Sequence, residues 1–299
     1  MRLVLGFSPG SASDQIARAI APDLERTLGA AVKIELRAGS NGAPAAAAVA
    51  AAAPDGRTLF MATLGTHALA PHLGEIPYDP VRDFAPVSLV AKAPLMLACH
   101  PGLALSSAAA LIERARREPR TLAYGTSAVG GAPHLAAGLF EQMAGIEMRH
   151  VRYDHTERLY EDLETGRIAL SFNNMMSMLP RCRAGRLHPL ATTGAERSLA
   201  AQDVPTLSEH ALPGYEVSNW VGIVAPKGTP RPVIDALSTA VAEAVRSSAV
   251  RAAFDGGGVT ACGTTADAFE TFIAEQIARW GPVVARLRDA IPASTQETL

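Results

Sequence analysis

From residue 2 to residue 225, short apolar runs alternate with stretches of helical period, and that alternation confines the chain to the α/β class. Strand-like runs cover 2–7, 32–36, 57–63, 94–100, 121–126, 147–153, 168–172, 189–193 and 215–225. Helical patterns cover 14–28, the Ala-rich 43–53, 107–118, 132–144, 156–165 and 175–184. Residues 75–86 read as a Pro-rich segment, and 231–289 is helical apart from Gly256-Gly257-Gly258 and what directly follows it. In 14–28, Ile16, Ile20, Leu24 and Leu28 recur at four-residue steps and stop at Gly29, while Pro22 is expected to kink the helix. Such a pattern predicts parallel sheets covered by helices, with ligands at the carboxyl ends of the strands.

Four passages from strand to helix share a composition. The first is Phe7-Ser8-Pro9-Gly10-Ser11-Ala12-Ser13-Asp14, poor in bulk and followed by a helix. A helix start leaves N–H groups unpaired and carries the positive end of the helix dipole, so a carboxylate or phosphate can approach the backbone there. An ordinary βα turn capped by Ser13 or Asp14 is the alternative reading. The other three are Thr63-Leu64-Gly65-Thr66, Gly125 to Gly131 through Thr126, Ser127 and Gly130, and Asn173-Asn174-Met175-Met176-Ser177. Two precede the chain's midpoint and two follow it. If the halves face each other, their amides and hydroxyls offer neutral donors to one carboxylate. Arg152 is the nearest cationic candidate, or simply a surface charge.

Length predicts two domains, and 48% hydrophobic residues suffice for a buried core. Lys and Arg number 27 against 29 Asp and Glu, which leaves no field to attract nucleic acid or an anionic membrane. No window reaches the roughly eighteen apolar residues of a membrane span. The chain opens in strand-like sequence without the features of a signal peptide, so export is not legible in these residues. Cys99, Cys182 and Cys262 fit neither a disulfide framework nor a zinc spacing. His67, His134 and His155 lack zinc-site spacing too and are read as capping or packing residues; neither metal nor cofactor is expected. Met175, Met176 and Met178 read as core filler rather than a soft ligand surface, and Arg114, Arg116 and Arg117 as a solvated face. Trp220 either stacks on a ligand or seals a hinge.

Longer matches then accumulate: Phe7-Ser8-Pro9-Gly10 with Asp14, Ala53-Pro54-Asp55-Gly56, the run from Tyr78-Asp79-Pro80 through Phe84-Ala85-Pro86 to Val90, Tyr124-Gly125-Thr126-Ser127, His134-Leu135-Ala136, Asp203-Val204-Pro205-Thr206, Leu212-Pro213-Gly214 and Ala225-Pro226-Lys227-Gly228-Thr229-Pro230. In these the chain resembles the Bug/TctC family, the extracytoplasmic solute-binding receptors of tripartite tricarboxylate transporters. The resemblance implies a two-lobed periplasmic-binding-protein fold, each lobe a mostly parallel sheet flanked by helices. Lobe 1 would hold 1–97 and 222–299, lobe 2 would hold 98–221, and two crossovers would join them. It implies a monomer in the periplasm that closes over a small carboxylate and delivers it to membrane permease subunits, with neither nucleic-acid binding nor membrane insertion.

The family's binding loops fall on Phe7, Ser8, Gly10, Ser11, Ser13 and Asp14; on Thr63, Gly65 and Thr66; on Thr126, Ser127 and Gly130, with His134 behind that loop; and on Asn173 and Asn174. Tyr153, Asp154 and Trp220 complete the set. Ser8 and Ser11 stand where the family usually has Pro and Gly, and Asn173 where Asp or Gly is frequent. Val151-Arg152-Tyr153-Asp154-His155 replaces a typical Val-Pro-Tyr-Lys-Gly, so the family's basic residue has become Asp154. An acid there repels a second carboxylate and pairs with an ammonium, so a monocarboxylate or an amino-bearing ligand is expected over a tricarboxylate. A ligand-presenting sensor for a membrane histidine kinase is one alternative. A hydrolase built on Ser127 and His134 is another, although residues 125–129 lack the Gly-x-Ser-x-Gly elbow and no nucleotide-binding fingerprint is present.

Overall fold

The computed structural model describes residues 1–127, 130–153 and 155–290, with side chains through 285. In chain order the elements are β1 (Arg2–Leu5), α1 (Ala12–Leu28), β2 (Lys33–Leu36), α2 (Ala43–Ala50), β3 (Thr58–Thr63), α3 (Ala70–Leu73) and β4 (Phe84–Cys99). There follow α4 (Ala108–Arg117), β5 (Ala123–Thr126), α5 (Ala132–Ala144), β6 (Arg149–Arg152), α6 (Thr156–Glu164), β7 (Leu170–Asn174), α7 (Met175–Arg183) and β8 (His188–Thr192). The chain ends with α8 (Leu207–His210), β9 (Ser218–Pro226), α9 (Arg231–Arg246), α10 (Ser248–Gly256), β10 (Thr260–Ala261) and α11 (Ala266–Ala290). It divides into two compact units, one holding Met1–Lys92, Trp220–Phe254 and Thr260–Leu299, the other Ala93–Asn219 and Asp255–Val259. The chain passes between them within β4, at the start of β9, and again around the short Asp255–Val259 excursion, where Gly257 lies against Met176.

In unit 1, β1 pairs in parallel with both β2 and β3 (Leu3 opposite Ile34 and Leu59), and β9 closes antiparallel on β3 (Met61 opposite Ile223). All six residues of β3 are buried, as expected of a strand covered on both faces. Ile16, Ile20 and Leu24 line the buried stripe of α1, which packs on α9. The helix runs on through Pro22 and stops at Gly29, whose φ of 62° suits a residue without a β-carbon. Its cap is Ser11, which accepts the Asp14 N–H at 3.4 Å, and not Ser13 or Asp14, because α1 starts at Ala12, four residues before the apolar period opens at Ile16.

In unit 2, β5 lies between β6 and β7 and is parallel to both (Tyr124 opposite His150 and Leu170). Strand β4 runs antiparallel to β7 and β8. Phe140 of α5 packs on Phe172 at 5.4 Å on one face. A separate cluster gathers Met96, Leu159, Leu163, Met175, Met178 and Leu179. Met175 and Met178 are therefore core filler, as their spacing suggests. Tyr215 anchors α5 by donating its buried hydroxyl to the Ala136 carbonyl at 2.7 Å. Strand β4 is sixteen residues long and begins ten residues before the expected 94–100 run, inside what reads as Pro-rich loop sequence. Pro86 and Pro94 break the alternation that would have marked it.

Candidate functional site

Parallel neighbours deliver their following turns to the same sheet edge. In unit 1 the turns after β1 and β3 lie side by side because those strands pair; in unit 2 the turns after β5 and β7 do so for the same reason. The expected turn residues thus gather within each unit into one group.

The turn after β1 is tied by Asp14, whose Oδ2 accepts the Gly10 N–H at 2.9 Å while Oδ1 takes Arg18 Nε at 2.8 Å. Ser11 and Ser13 hydroxyls lie 3.2 Å apart, and Gln15 Nε2 donates to the Gly10 carbonyl at 2.7 Å. Asp14 and Ser13 are buried, whereas Phe7, Ser8 and Ser11 are half-buried and Gly10 is exposed. Asp14 is thus a brace for the loop, which the expectation of ligand contact did not separate from its neighbours. After β3 the chain enters a wide π-helical turn, Gly65–Leu69. Thr66 Oγ1 accepts the Thr63 N–H at 3.0 Å and lies 3.0 Å from His67 Nδ1, and Tyr78 donates its hydroxyl to the Thr66 carbonyl at 2.7 Å. His67 is fully buried against Phe60, Phe84 and Tyr78, and burial drives its pKa down to about 3. This imidazole packs, as its spacing suggests.

In unit 2, α5 follows Gly131 and α7 follows Asn174, and neither of these N-cap residues gives its helix a side-chain cap. His134 Nδ1 accepts the Gly130 N–H at 3.0 Å and its ring stacks on His150 at 4.6 Å. His150 stacks in turn on Tyr124 at 4.9 Å, with Nε2 2.7 Å from the Thr126 hydroxyl. Ser127 Oγ accepts from Thr156 at 3.2 Å, so Ser127 and His134 are engaged with different partners rather than with each other. The backbone N–H of Tyr153 pairs with the Thr126 carbonyl, and its hydroxyl donates to Asp162 at 3.0 Å. Asn173, 3% exposed, uses Oδ1 to accept the Asn174 N–H at 2.9 Å, while its Nδ2 is buried and donates to nothing among the described residues. Asn174 Oδ1 lies 3.4 Å from Asn219 Nδ2. Asp154 lies outside the described residues, as do Ala128 and Val129. Trp220 belongs to unit 1 and meets Phe269 and Phe272 edge-on at 5.8 and 5.5 Å; of the roles its sequence left open, these contacts describe packing.

Sequence reasoning missed His150 and Glu141. The strand alternation of 147–153 is the signal that places His150 beside Tyr124. Burial holds His134 at about 3, reinforced by His150, and His150 at about 4, reinforced by Arg152. Burial also pushes Glu141 up to about 7 against the opposing Met148 N–H. The imidazoles of His67, His134 and His150 fold neutral, whereas an unfolded chain protonates histidine near pH 6.5, so the stability they lend is complete above about 6.5 and is lost as pH falls toward 4 and 3. Glu141 has the opposite sign, its stability complete below about 4.5 and lost as pH rises through 7. Three groups outweigh one. Tm followed by circular dichroism is therefore expected to fall between pH 6.5 and 4.5, less steeply in His150→Gln; an unaltered slope in that variant would refute the assignment.

Among the described residues no helix is long and apolar enough to cross a membrane. A family model described as tripartite tricarboxylate transporter family receptor, TctC, matches residues 16–288. Protein BugT of Bordetella pertussis (strain Tohama I) is 35% identical over 287 residues, 95% of this chain and 88% of that protein. R. palustris Rpa4515, solved with adipate, superposes with a TM-score of 0.92 at 35% identity, covering 96% of each chain. MatC (Rpa3494) from Rhodopseudomonas palustris, solved with bound malate, gives 0.89 at 29% identity over 95% of this chain and 98% of that one. The two-unit α/β architecture, the turns gathered at the strand ends and these likenesses lead to one conclusion: the chain belongs to the TctC family and is a solute-binding receptor of the tripartite tricarboxylate transporter type.

Proposed function

We propose that the solute is a small carboxylate held chiefly by backbone amides and hydroxyls of the turns after β1, β3, β5 and β7, and that the receptor is a non-catalytic periplasmic monomer serving membrane permease subunits. The observation that carries this reading is in unit 2, where two helices start uncapped beside Asn173, whose buried Nδ2 offers a donor. Residues Phe7, Ser8, Gly10, Ser11, Ser13, Asp14, Thr63, Gly65, Thr66, Thr126, Ser127, Gly130, His134, Tyr153, Asp154, Asn173, Asn174 and Trp220 are the candidate set. Within it, contact with the solute is assigned to the turn residues, while Asp14 and His134 hold two of the turns in place and Trp220 packs on Phe269 and Phe272.

Asp154 in place of a basic residue favours a monocarboxylate or an amino-bearing acid over a tricarboxylate. A dicarboxylate without an amino group is the second reading, favoured by the adipate and malate with which two similar proteins were solved. Isothermal titration with nicotinate, glutamate, aspartate, adipate, malate and citrate separates them. Micromolar binding of nicotinate, glutamate or aspartate is the expected result, adipate or malate alone would select the second reading, and citrate alone would reject both.

A further inference from the structure

The turn after β2 contains the most unusual backbone among the described residues. Gly39, Ser40, Asn41 and Gly42 have φ values of 128°, 42°, 50° and 84°, so two residues with side chains sit in succession in the left-handed region. Neighbouring turns hold them there. A β-carbon on Gly6 would lie 2.5 Å from Gly42 Cα, and one on Gly42 would lie 2.9 Å from Thr66 Cγ2, so the 39–42 turn is wedged between the turns after β1 and β3. The Asn41 carboxamide lies over Gly65: the point a β-carbon would take there is 3.3 Å from Asn41 Oδ1, 3.4 Å from Asn41 Nδ2 and 3.6 Å from Thr63 Oγ1. Asn41 Oδ1 is buried and accepts no hydrogen bond among the described residues. A buried carbonyl oxygen without a donor is costly to keep, and such atoms concentrate where a ligand completes the pairing.

We propose that Asn41 is a further solute-contacting residue, whose carboxamide oxygen accepts a hydrogen bond from a hydroxyl or ammonium group carried by the acid. The preferred solute is then a hydroxy- or amino-substituted carboxylate rather than the plain acid. This rests on the carboxylate reading above and narrows it. A hydrogen bond of this kind discriminates by about tenfold or more when the ligand group is charged or the site is dry.

The test uses matched pairs titrated calorimetrically into the full chain: glutamate with glutarate, aspartate with succinate, lactate with propionate. In wild type the substituted member of at least one pair is expected to bind about tenfold more tightly than its plain partner. In Asn41→Gly that ratio should fall to about threefold or less, with the plain acid's affinity unchanged. Ligand-free Asn41→Gly should keep its Tm within about 2 °C, since glycine suits a φ of 50° and the buried Oδ1 has no hydrogen-bond partner to lose among the described residues. A ratio that survives Asn41→Gly overturns the proposal, as does equal binding of plain and substituted acids by wild type. A ligand-free Tm loss beyond about 5 °C does so too, by making the side chain structural. Silence with all six acids overturns the proposal, and silence with nicotinate, adipate, malate and citrate as well overturns the carboxylate reading together with it, whereas binding without preference overturns the proposal alone.

Discussion

Replacing Phe269 by alanine is expected to destabilise unit 1 by about 3–5 kcal/mol, the range for deleting a fully buried aromatic ring. The ring meets Trp220 edge-on at 5.8 Å and stacks on Phe272 at 6.4 Å, and it covers the backbone of β9 directly. A β-carbon on Gly222 would lie 2.1 Å from Phe269 Cζ. Gly222→Ala alone should therefore cost about 1–3 kcal/mol through overpacking. Once Phe269 is alanine that clash is gone, so the cost of Gly222→Ala should nearly vanish in the double variant, and the two changes should be strongly non-additive. Both tryptophans, Trp220 and Trp280, belong to unit 1, so urea unfolding followed by tryptophan fluorescence reads this unit selectively. Additive costs in the double-mutant cycle would show that Phe269 does not rest on Gly222.

Gly6→Ala should have the largest effect on binding. The added methyl would stand 2.5 Å from Gly42 Cα and 3.2 Å from Gly42 O, and both are backbone atoms that no side-chain rotation can move. Relief requires the turns after β1 and β2 to separate, which displaces Phe7, Ser8 and Gly10 together with Asn41. We expect a loss of about a hundredfold in affinity for whichever acid the wild type binds, since an ångström of misplacement costs on that order, and a stability loss of about 1–3 kcal/mol. Gly145→Ala serves as the control. That residue ends α5 at a φ of 60° with open space around it, so alanine there should cost about 1 kcal/mol and leave affinity untouched. Affinity within threefold of wild type in Gly6→Ala would place the turn after β1 outside the solute's reach.

Much of the architecture was legible in local pattern. Four-residue steps from Ile16 to Leu24 define the buried face of α1, and Gly29 ends it with the left-handed residue such an end calls for. The composition of the turns at Phe7, Thr63, Thr126 and Asn173 marked them as strand ends, because small and amide residues interrupt the apolar runs there. Where proline interrupts alternation, periodicity loses its signal, and the first ten residues of β4 therefore did not read as strand although most of them are buried. The cap of α1 was displaced to Ser11 for a similar reason: the apolar period locates where a helix is covered, not where its first hydrogen bond forms.

Other features have no local signature at all. The stack of Tyr124, His150 and His134 draws on two strands and a helix, and it exists because β5 and β6 pair in a register that sets residue 124 opposite residue 150. Gly6 meets Gly42, and Gly222 meets Phe269, across 36 and 47 residues of chain respectively (42 − 6 and 269 − 222). Asn41 reads in isolation as one polar residue of a Gly-rich turn; its buried, unpaired oxygen follows only from the packing of neighbouring turns around it. Backbone class, helix faces and turn chemistry are properties of neighbouring residues, so hydrophobic period and steric freedom suffice to establish them. Which polar atoms end up desolvated, and which of those keep a partner, depends on groups far apart in the chain and was settled by the fold alone.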